Sequence, residues 1–209
     1  MHVVSESVEP VVSLWWVRHA AVTPPWVLAA TTPADQARAG QFESPAWGTR
    51  FLTGRALVRS TLASRRGVGL DDIVIDRTCR YCGDLEHGKP SSLVTPPLWW
   101  SLSRSDALSA LAWSDQRDVG LDIASSDEPT PLGSAVNWVA AEAALKLVGR
   151  GLADDPRTVG LSPGIVEVPG HPTVFLQDIV LPNSVGAVAT MEPVTVALRE
   201  VDQRSGVLF

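Results

Sequence analysis

Cysteine is nearly absent: Cys79 and Cys82 are the only two among 209 residues. Two neighbouring thiols make no disulfide framework, so a reducing, cytoplasmic setting is the expectation. No stretch approaches the ~18 consecutive apolar residues of a membrane-spanning helix. The start, MHVVSESVEPVV, has no basic segment leading into an apolar one, so neither a membrane partner nor a secretory signal is expected. Positive charge is in short supply too, with 17 Lys and Arg against 23 Asp and Glu and a net charge of -6. That balance argues against general nucleic-acid affinity, which needs a basic face to release counterions from phosphates, and leaves room for a local basic pocket. Also missing are the G-x-S-x-G elbow, H-E-x-x-H, the Walker phosphate loop and G-x-G-x-x-G. Serine hydrolase, zincin, P-loop and Rossmann readings lose weight accordingly.

What is present is ordinary globular material, 45% hydrophobic and 19% charged, punctuated by 16 Pro and 16 Gly. Many turns between apolar stretches fit an α+β layout better than a helical bundle. Val11 to Val17 reads as a strand broken by TPPWV at 23–27. Thr32 caps a short helix opened by Pro33 and closed at Gly40. Ser44-Pro45 opens the long helical pattern PAWGTRFLTGRALVRSTLASRRG, with Gly67 as its stop. Asp71–Ile75 is a strand candidate, and CRYCGDLEHGKP after it is too rich in Gly, Pro and charge for regular structure. Leu98–Ser101, Ala107–Trp113 and the DVGLDIA segment have strand spacing. Ser134 caps a helix running to Gly149 or Gly151, and the last third reads as hairpin strands joined by links too short for parallel crossovers. RALVRSTLASRRG and EAALKLVGRG echo each other. The expected architecture is therefore two similar halves, each a long helix with strands, over residues 1–106 and 107–209; one continuous sheet is the alternative.

Chemistry concentrates between Asp118 and Gly151. In DVGLDIA, Val119, Leu121 and Ile123 share one face, and Gly120, Asp122 and Ala124 the other. Asp122 on a strand, with Glu142 on the following helix, is a pair that suits Mg2+, which takes few protein oxygens and is completed by water and substrate phosphates. The plainer alternative is a carboxylate meeting a loop amide and an i,i+4 Glu142–Lys146 helix pair worth about 0.2–0.5 kcal/mol. Lys146 and Arg150 can meet phosphates or simply complement the helix dipole, and Trp138 reads as packing. Cys79, Cys82 and His87 have the spacing of a partial zinc site, lacking a fourth ligand, or are two thiols without metal. Gly88 and Pro90 hold Lys89 in a defined direction, the glycine admitting a close ligand. Ser101, Ser103, Arg104 and Ser105 read as a turn that binds phosphate or is merely solvated.

Taken in order, FLTGRALVRSTLA, HGKP, SLSRS, VGLDIA and WVAAEAALK resemble the 4'-phosphopantetheinyl transferase superfamily of the Sfp type, over roughly residues 45–190. The resemblance implies a fold of two pseudo-two-fold-related halves, each a long helix packed on an antiparallel sheet, with coenzyme A and Mg2+ in the cleft between them. The implied reaction transfers phosphopantetheine from coenzyme A to a serine of an acyl or peptidyl carrier protein, by a cytoplasmic monomer. Asp122 then corresponds to a Mg2+ ligand, and Glu142 to a second ligand and a base for the carrier serine. Lys146 corresponds to a phosphate contact that stabilises the leaving 3',5'-ADP. Lys89, Ser103, Arg104, Arg50 and Arg55 fall to the coenzyme, with Arg59 in the same basic helix.

Three positions depart from the family's pattern. Ala124 stands where a second metal acid is usual, Arg104 where a histidine faces the coenzyme's 3'-phosphate, and Ala141 where a lysine precedes the motif glutamate. Arginine suits a phosphate well. Ala124 motivates a competing expectation, a relative of changed chemistry acting on coenzyme A or a carrier-tethered intermediate. A third is a non-catalytic interaction module exposing some of the eight Trp residues.

Overall fold

The computed structural model describes residues 11–85, 88–151 and 153–206. Its elements in chain order are β1 (Val11–Arg18), α1 (Pro25–Ala30), α2 (Pro33–Ala39), α3 (Pro45–Arg66), β2 (Ile75–Asp76), β3 (Ser91–Ser92), β4 (Trp99–Arg104), β5 (Leu108–Ser114) and β6 (Gly120–Ser125). They continue with α4 (Ala135–Leu147), β7 (Gly160–Ser162), β8 (Ile165–Glu167), β9 (Val174–Leu181), β10 (Ser184–Thr190) and β11 (Thr195–Glu200). The chain is α+β. Its strands form a sheet ordered β11-β1-β5-β4, a sheet ordered β6-β10-β9-β8-β7, and the small pair β2-β3. Among the described residues no helix is long and apolar enough to cross a membrane.

Period-two alternation builds the layers. Val12, Leu14 and Trp16 of β1 face inward between the two large sheets, meeting Leu121 and Ile123 of β6 and Val188 of β10. Trp15 and Val17, on the opposite face, pack under Leu57, Val58 and Leu62 of α3. The second sheet turns Ala124, Ala187 and Ala189 outward to Val139, Ala143 and Ala144 of α4. The order is helix, sheet, sheet, helix. At one edge β4 and β6 adjoin, and serine hydroxyls replace a strand partner: Ser101 Oγ accepts from Leu121 N–H (3.0 Å) and Ser103 Oγ from Ile123 N–H (3.2 Å). Edge-strand amides buried without such acceptors would be costly.

The same topology occurs twice. Strand β1, helix α3 and hairpin β4–β5 give the order β1-β5-β4; strand β6, helix α4 and hairpin β9–β10 give β6-β10-β9. The 106/107 division falls in the turn joining β4 to β5, and β5 and β11 belong to the first large sheet.

The helix signals act as expected for α2 and α3. Thr32 and Asp35 form a reciprocal capping box before α2, and Gly67, with φ 64°, closes α3 in the left-handed region where only glycine is unstrained. Other expectations need correction. The break at TPPWV contains the start of α1, since Pro25 lacks the N–H that a helix's first turn leaves unpaired. Asp71–Ile75 is not a strand. Asp72 accepts from Gly69 N–H to hold a 3-10 turn at Leu70–Asp72, leaving a strand of two residues. Ser101, Ser103 and Arg104 lie in β4 rather than in a turn. Finally, β11 leaves its antiparallel neighbours and pairs parallel with β1, which needs no short crossover because β1 lies at the other end of the chain.

Candidate functional site

Gly120 sets the position of the site. A Cβ there would stand 2.0 Å from the Ala143 carbonyl oxygen and 2.7 Å from Leu147 N, so only glycine lets α4 lie directly on β6. Two residues on, the same strand face brings Asp122 to α4, at 6% exposure. Lys146 Nζ donates to Asp122 Oδ1 (2.5 Å), and Ser103 Oγ donates to the same oxygen (2.7 Å). The expected Lys146–Glu142 helix pair is thereby replaced by a cross-element pair. Glu142 is 4% exposed. Burial first, and the neighbouring Asp122 second, raise its carboxyl above the usual range despite Lys146. Two buried carboxylates and one ammonium leave the cluster short of positive charge.

A cleft of about 370 Å³ opens from Lys146 between α3 and the end of α4, floored by β4. Five cations line it: Arg55, Arg77, Lys89, Arg104 and Lys146. Among the described lining residues none is acidic; carboxylates stand behind the cations instead. Asp118 and the Leu147 carbonyl hold Lys89 Nζ (2.6 and 2.9 Å), and Asp35 pairs with Arg55 (3.4 Å). Burial, then Arg77, lower Arg55 to about 10, with Arg104 and Arg38 adding to the repulsion. Burial lowers Arg104 too, followed by Arg77 and Arg38, and desolvation lowers Lys89. Five cations facing one cavity make it electropositive, an arrangement that can accept an anion. Trp100, 4% exposed, also lines the cleft, and its indole Nε1–H has no acceptor among the described residues.

The other candidates are placed as follows. Arg50 is paired with Asp106 (2.6 Å) and lines a second, adjacent pocket. Arg59 is turned away and buried, donating to the carbonyls of Ala30, Ile73 and Leu70 (2.9, 2.9 and 2.6 Å), where it fastens α1 and the 3-10 turn to α3. Arg150 pairs with Asp154 (2.5 Å) and lies 4.5 Å over the Tyr81 ring, outside the cleft. Trp138 packs against the α4 cluster. Gly88 admits backbone rather than ligand, since a Cβ would meet Thr78 O at 2.4 Å. Ala124 is buried in the contact between β6 and α4, where its methyl is part of the apolar seam.

Among the described residues no three His, Cys, Asp or Glu side chains come together as a metal site. Cys79 is buried and Cys82 exposed, and the backbone N–H groups of Cys82 and Tyr81 lower the Cys79 thiol. His87 lies outside the described residues. Sequence reasoning did not single out Arg77, Asp118, Asp35 or Trp100 for the site. Asp118 opens the very stretch that carries the chemistry, yet nothing local tells which lysine it holds. No protein-family model matches the chain, and no curated protein matches it in sequence.

Proposed function

We propose that the protein is a 4'-phosphopantetheinyl transferase, moving phosphopantetheine from coenzyme A to a serine of an acyl or peptidyl carrier protein. One observation carries the reading: a cleft lined by five cations runs to Lys146, behind which Asp122 and Glu142 are buried. A polyphosphate donor suits the cleft, and a buried carboxylate pair beside it suits the reacting end. The twofold strand–helix–hairpin topology supports the two-halved fold that the motifs suggest.

Asp122 and Glu142 fit Mg2+, because their excess negative charge matches the one or two carboxylates that this ion takes alongside substrate phosphates. When bound, the ion supplies charge neutralisation on the diphosphate. The chain's own groups do the rest. Lys89, Arg55, Arg77 and Arg104 bind the phosphates, and Lys146 is placed to offset charge growing on the leaving oxygen. Glu142, with its raised proton affinity, takes the proton of the carrier serine. The serine oxygen–phosphorus bond forms, the diphosphate phosphorus–oxygen bond breaks, and 3',5'-ADP departs.

The test is incubation with coenzyme A, Mg2+ and a panel of apo carrier proteins, read as a phosphopantetheine mass increase. Transfer that disappears in Asp122→Ala and Glu142→Ala supports the reading. Binding of coenzyme A without transfer to any carrier favours the second reading, a protein of related fold with altered chemistry on coenzyme A or a carrier-tethered intermediate. Ala124 is the observation behind that alternative: its methyl occupies the apolar seam, leaving no second strand acid for the metal. Cytoplasmic residence and a monomeric state go with the proposal, since one chain by itself forms the cleft.

A further inference from the structure

The loop joining β2 to β3 carries both thiols of the protein, and its two legs are a wall of the cation cleft. Arg77 and Lys89, one on each leg, line the cleft, and Gly88 N–H donates to the Arg77 carbonyl (2.7 Å) to tie the legs together. Farther out, Cys79 N–H donates to the Asp84 carbonyl (2.6 Å) and Gly83 N–H to the Cys79 carbonyl (2.9 Å), which folds 79–84 into one tight turn. Gly83 takes the left-handed φ of 77° that the turn needs.

This turn sets the two sulfurs side by side. The backbone N–H groups of Cys82 and Tyr81 donate to Cys79 Sγ, and the Cys82 thiol donates to it as well. Cys79 is buried and Cys82 exposed. Their situations are complementary for thiol–disulfide exchange: one sulfur that an oxidant can reach, and beside it a sheltered one whose thiolate two amides favour. In reducing compartments, paired cysteines that oxidise are mostly redox-active or redox-sensing rather than structural.

Tyr81, between the cysteines, fastens the turn to the end of α4. Its hydroxyl donates to the Val148 carbonyl (3.0 Å), and Arg150 lies over its ring. A Cβ on Gly149, which lines the cleft, would stand 3.9 Å from that ring and 4.0 Å from Lys89 Cβ. A change in the turn therefore reaches the cleft wall through one side chain.

We propose that Cys79 and Cys82 form a reversible disulfide that draws Tyr81 away from Val148 and weakens anion binding in the cleft. A low-molecular-weight disulfide is the oxidant. The Cys82 thiolate attacks one of its sulfurs, a mixed disulfide forms, and one small thiolate leaves. The Cys79 thiolate then attacks Cys82 Sγ, the mixed disulfide breaks, and the second small thiolate leaves. The two cysteines have lost two electrons and two protons, and the oxidant is reduced to two thiols. Closing the bond brings the sulfurs from hydrogen-bond separation to about 2.05 Å, so the two residues between them must move. The proposal concerns the affinity of the cleft and does not depend on the transferase reading.

The test equilibrates the full chain in glutathione buffers of graded oxidation, quenches with acid, alkylates the free thiols and measures the mass; calorimetry then gives 3',5'-ADP binding to each form. Oxidised wild type is expected to lose both alkylation sites and two hydrogens, reversibly with dithiothreitol. Its affinity for 3',5'-ADP is expected to be about threefold or more below that of the reduced form, the worth of one neutral hydrogen bond. Cys82→Ser, at an exposed position, binds like reduced wild type in every buffer, and Tyr81→Phe binds like oxidised wild type in every buffer. Full alkylation of both thiols in excess oxidised glutathione overturns the proposal, as does a stable glutathione adduct on Cys82 with no internal disulfide. Zinc retained through purification, with the thiols protected until a chelator is added, overturns it in favour of a metal site. Equal 3',5'-ADP affinity in the two forms, or none in either, overturns the coupling to the cleft.

Discussion

Helices α3 and α4 occupy equivalent places in two units of the same strand order, yet their polar residues do different work. Helix α3 sends Arg55 to the cleft and spends Arg59 on three backbone carbonyls. Helix α4 sends Glu142 and Lys146 to a strand carboxylate. The first unit supplies four of the five cations of the cleft, and the second holds the two buried carboxylates beside Lys146. A duplicated topology provides two helices beside one seam; on the proposed function, the side chains of α3 bind and those of α4 react. On this comparison, Asp122→Ala has the largest expected effect. It removes the oxygen that holds both Lys146 and Ser103, and transfer falls by about 10²–10³-fold while the fold persists. Retained activity within tenfold of wild type, in the carrier-protein mass assay, would end the division of labour.

Each unit also has a glycine where its helix meets the seam, and the two differ in what they touch. Gly120 faces the backbone of α4, whereas Gly54 of α3 faces the flexible ends of Leu102 and Arg104, at 3.1 and 3.2 Å. Gly120→Ala must push a helix off a strand, and a cost of about 3 kcal/mol, at the upper end for overpacking, is expected. That corresponds to a Tm lower by roughly 6–12 °C. Gly54→Ala needs only side-chain movement and gains about 1 kcal/mol of helix propensity, so its melting temperature stays near that of wild type. Thermal melts of the pair settle the contrast; equal losses would mean that α3 is fitted to its strand as tightly as α4.

Much of this architecture was legible in the chain, and the unread part has a physical pattern. Caps and stops at Thr32, Pro33, Pro45, Gly67 and Ser134 act locally, through one or two backbone groups, and so appear in short windows. The alternation that turned Asp122 away from Val119, Leu121 and Ile123 is likewise local. The ion pairs Lys89–Asp118 and Arg55–Asp35, and the parallel pairing of β11 with β1, depend on which distant elements meet. Apolar period marks a segment as strand without naming its neighbour. Asp71–Ile75 shows the same limit on a smaller scale: its β-branched residues suit a strand, but the Asp72 side chain claims the Gly69 amide and Ile73 is buried in the core.

The cation cleft offers a middle-sized effect that separates binding from chemistry. Arg104 stands where both cavities meet, and its guanidinium is crowded by Arg77 and Arg38. Arg104→Ala removes a charged donor worth about 1.5–3 kcal/mol to a bound phosphate, and calorimetry with 3',5'-ADP is expected to show affinity falling by about tenfold or more. An unchanged affinity would move the phosphate toward Lys89 and the second unit.

The smallest expected effect concerns stability and sharpens the claim about Glu142. Its folded carboxyl binds a proton more tightly than the unfolded chain does, because burial and Asp122 outweigh Lys146. Ionised Glu142 therefore weakens the fold, and the burden grows as pH rises from the ordinary glutamate value near 4.5 through the raised folded value. Glu142→Gln removes the charge and keeps the shape. Its melting temperature is expected to exceed that of the wild type by a few degrees at neutral pH, with the difference shrinking toward zero below that window. Among the described residues of the first unit no buried carboxylate plays this part, so Arg55→Gln is expected to give no such gain with rising pH. A glutamine variant less stable than wild type at neutral pH would mean that Lys146 satisfies Glu142 as well as Asp122, and that the cluster has no charge left for a divalent cation to neutralise.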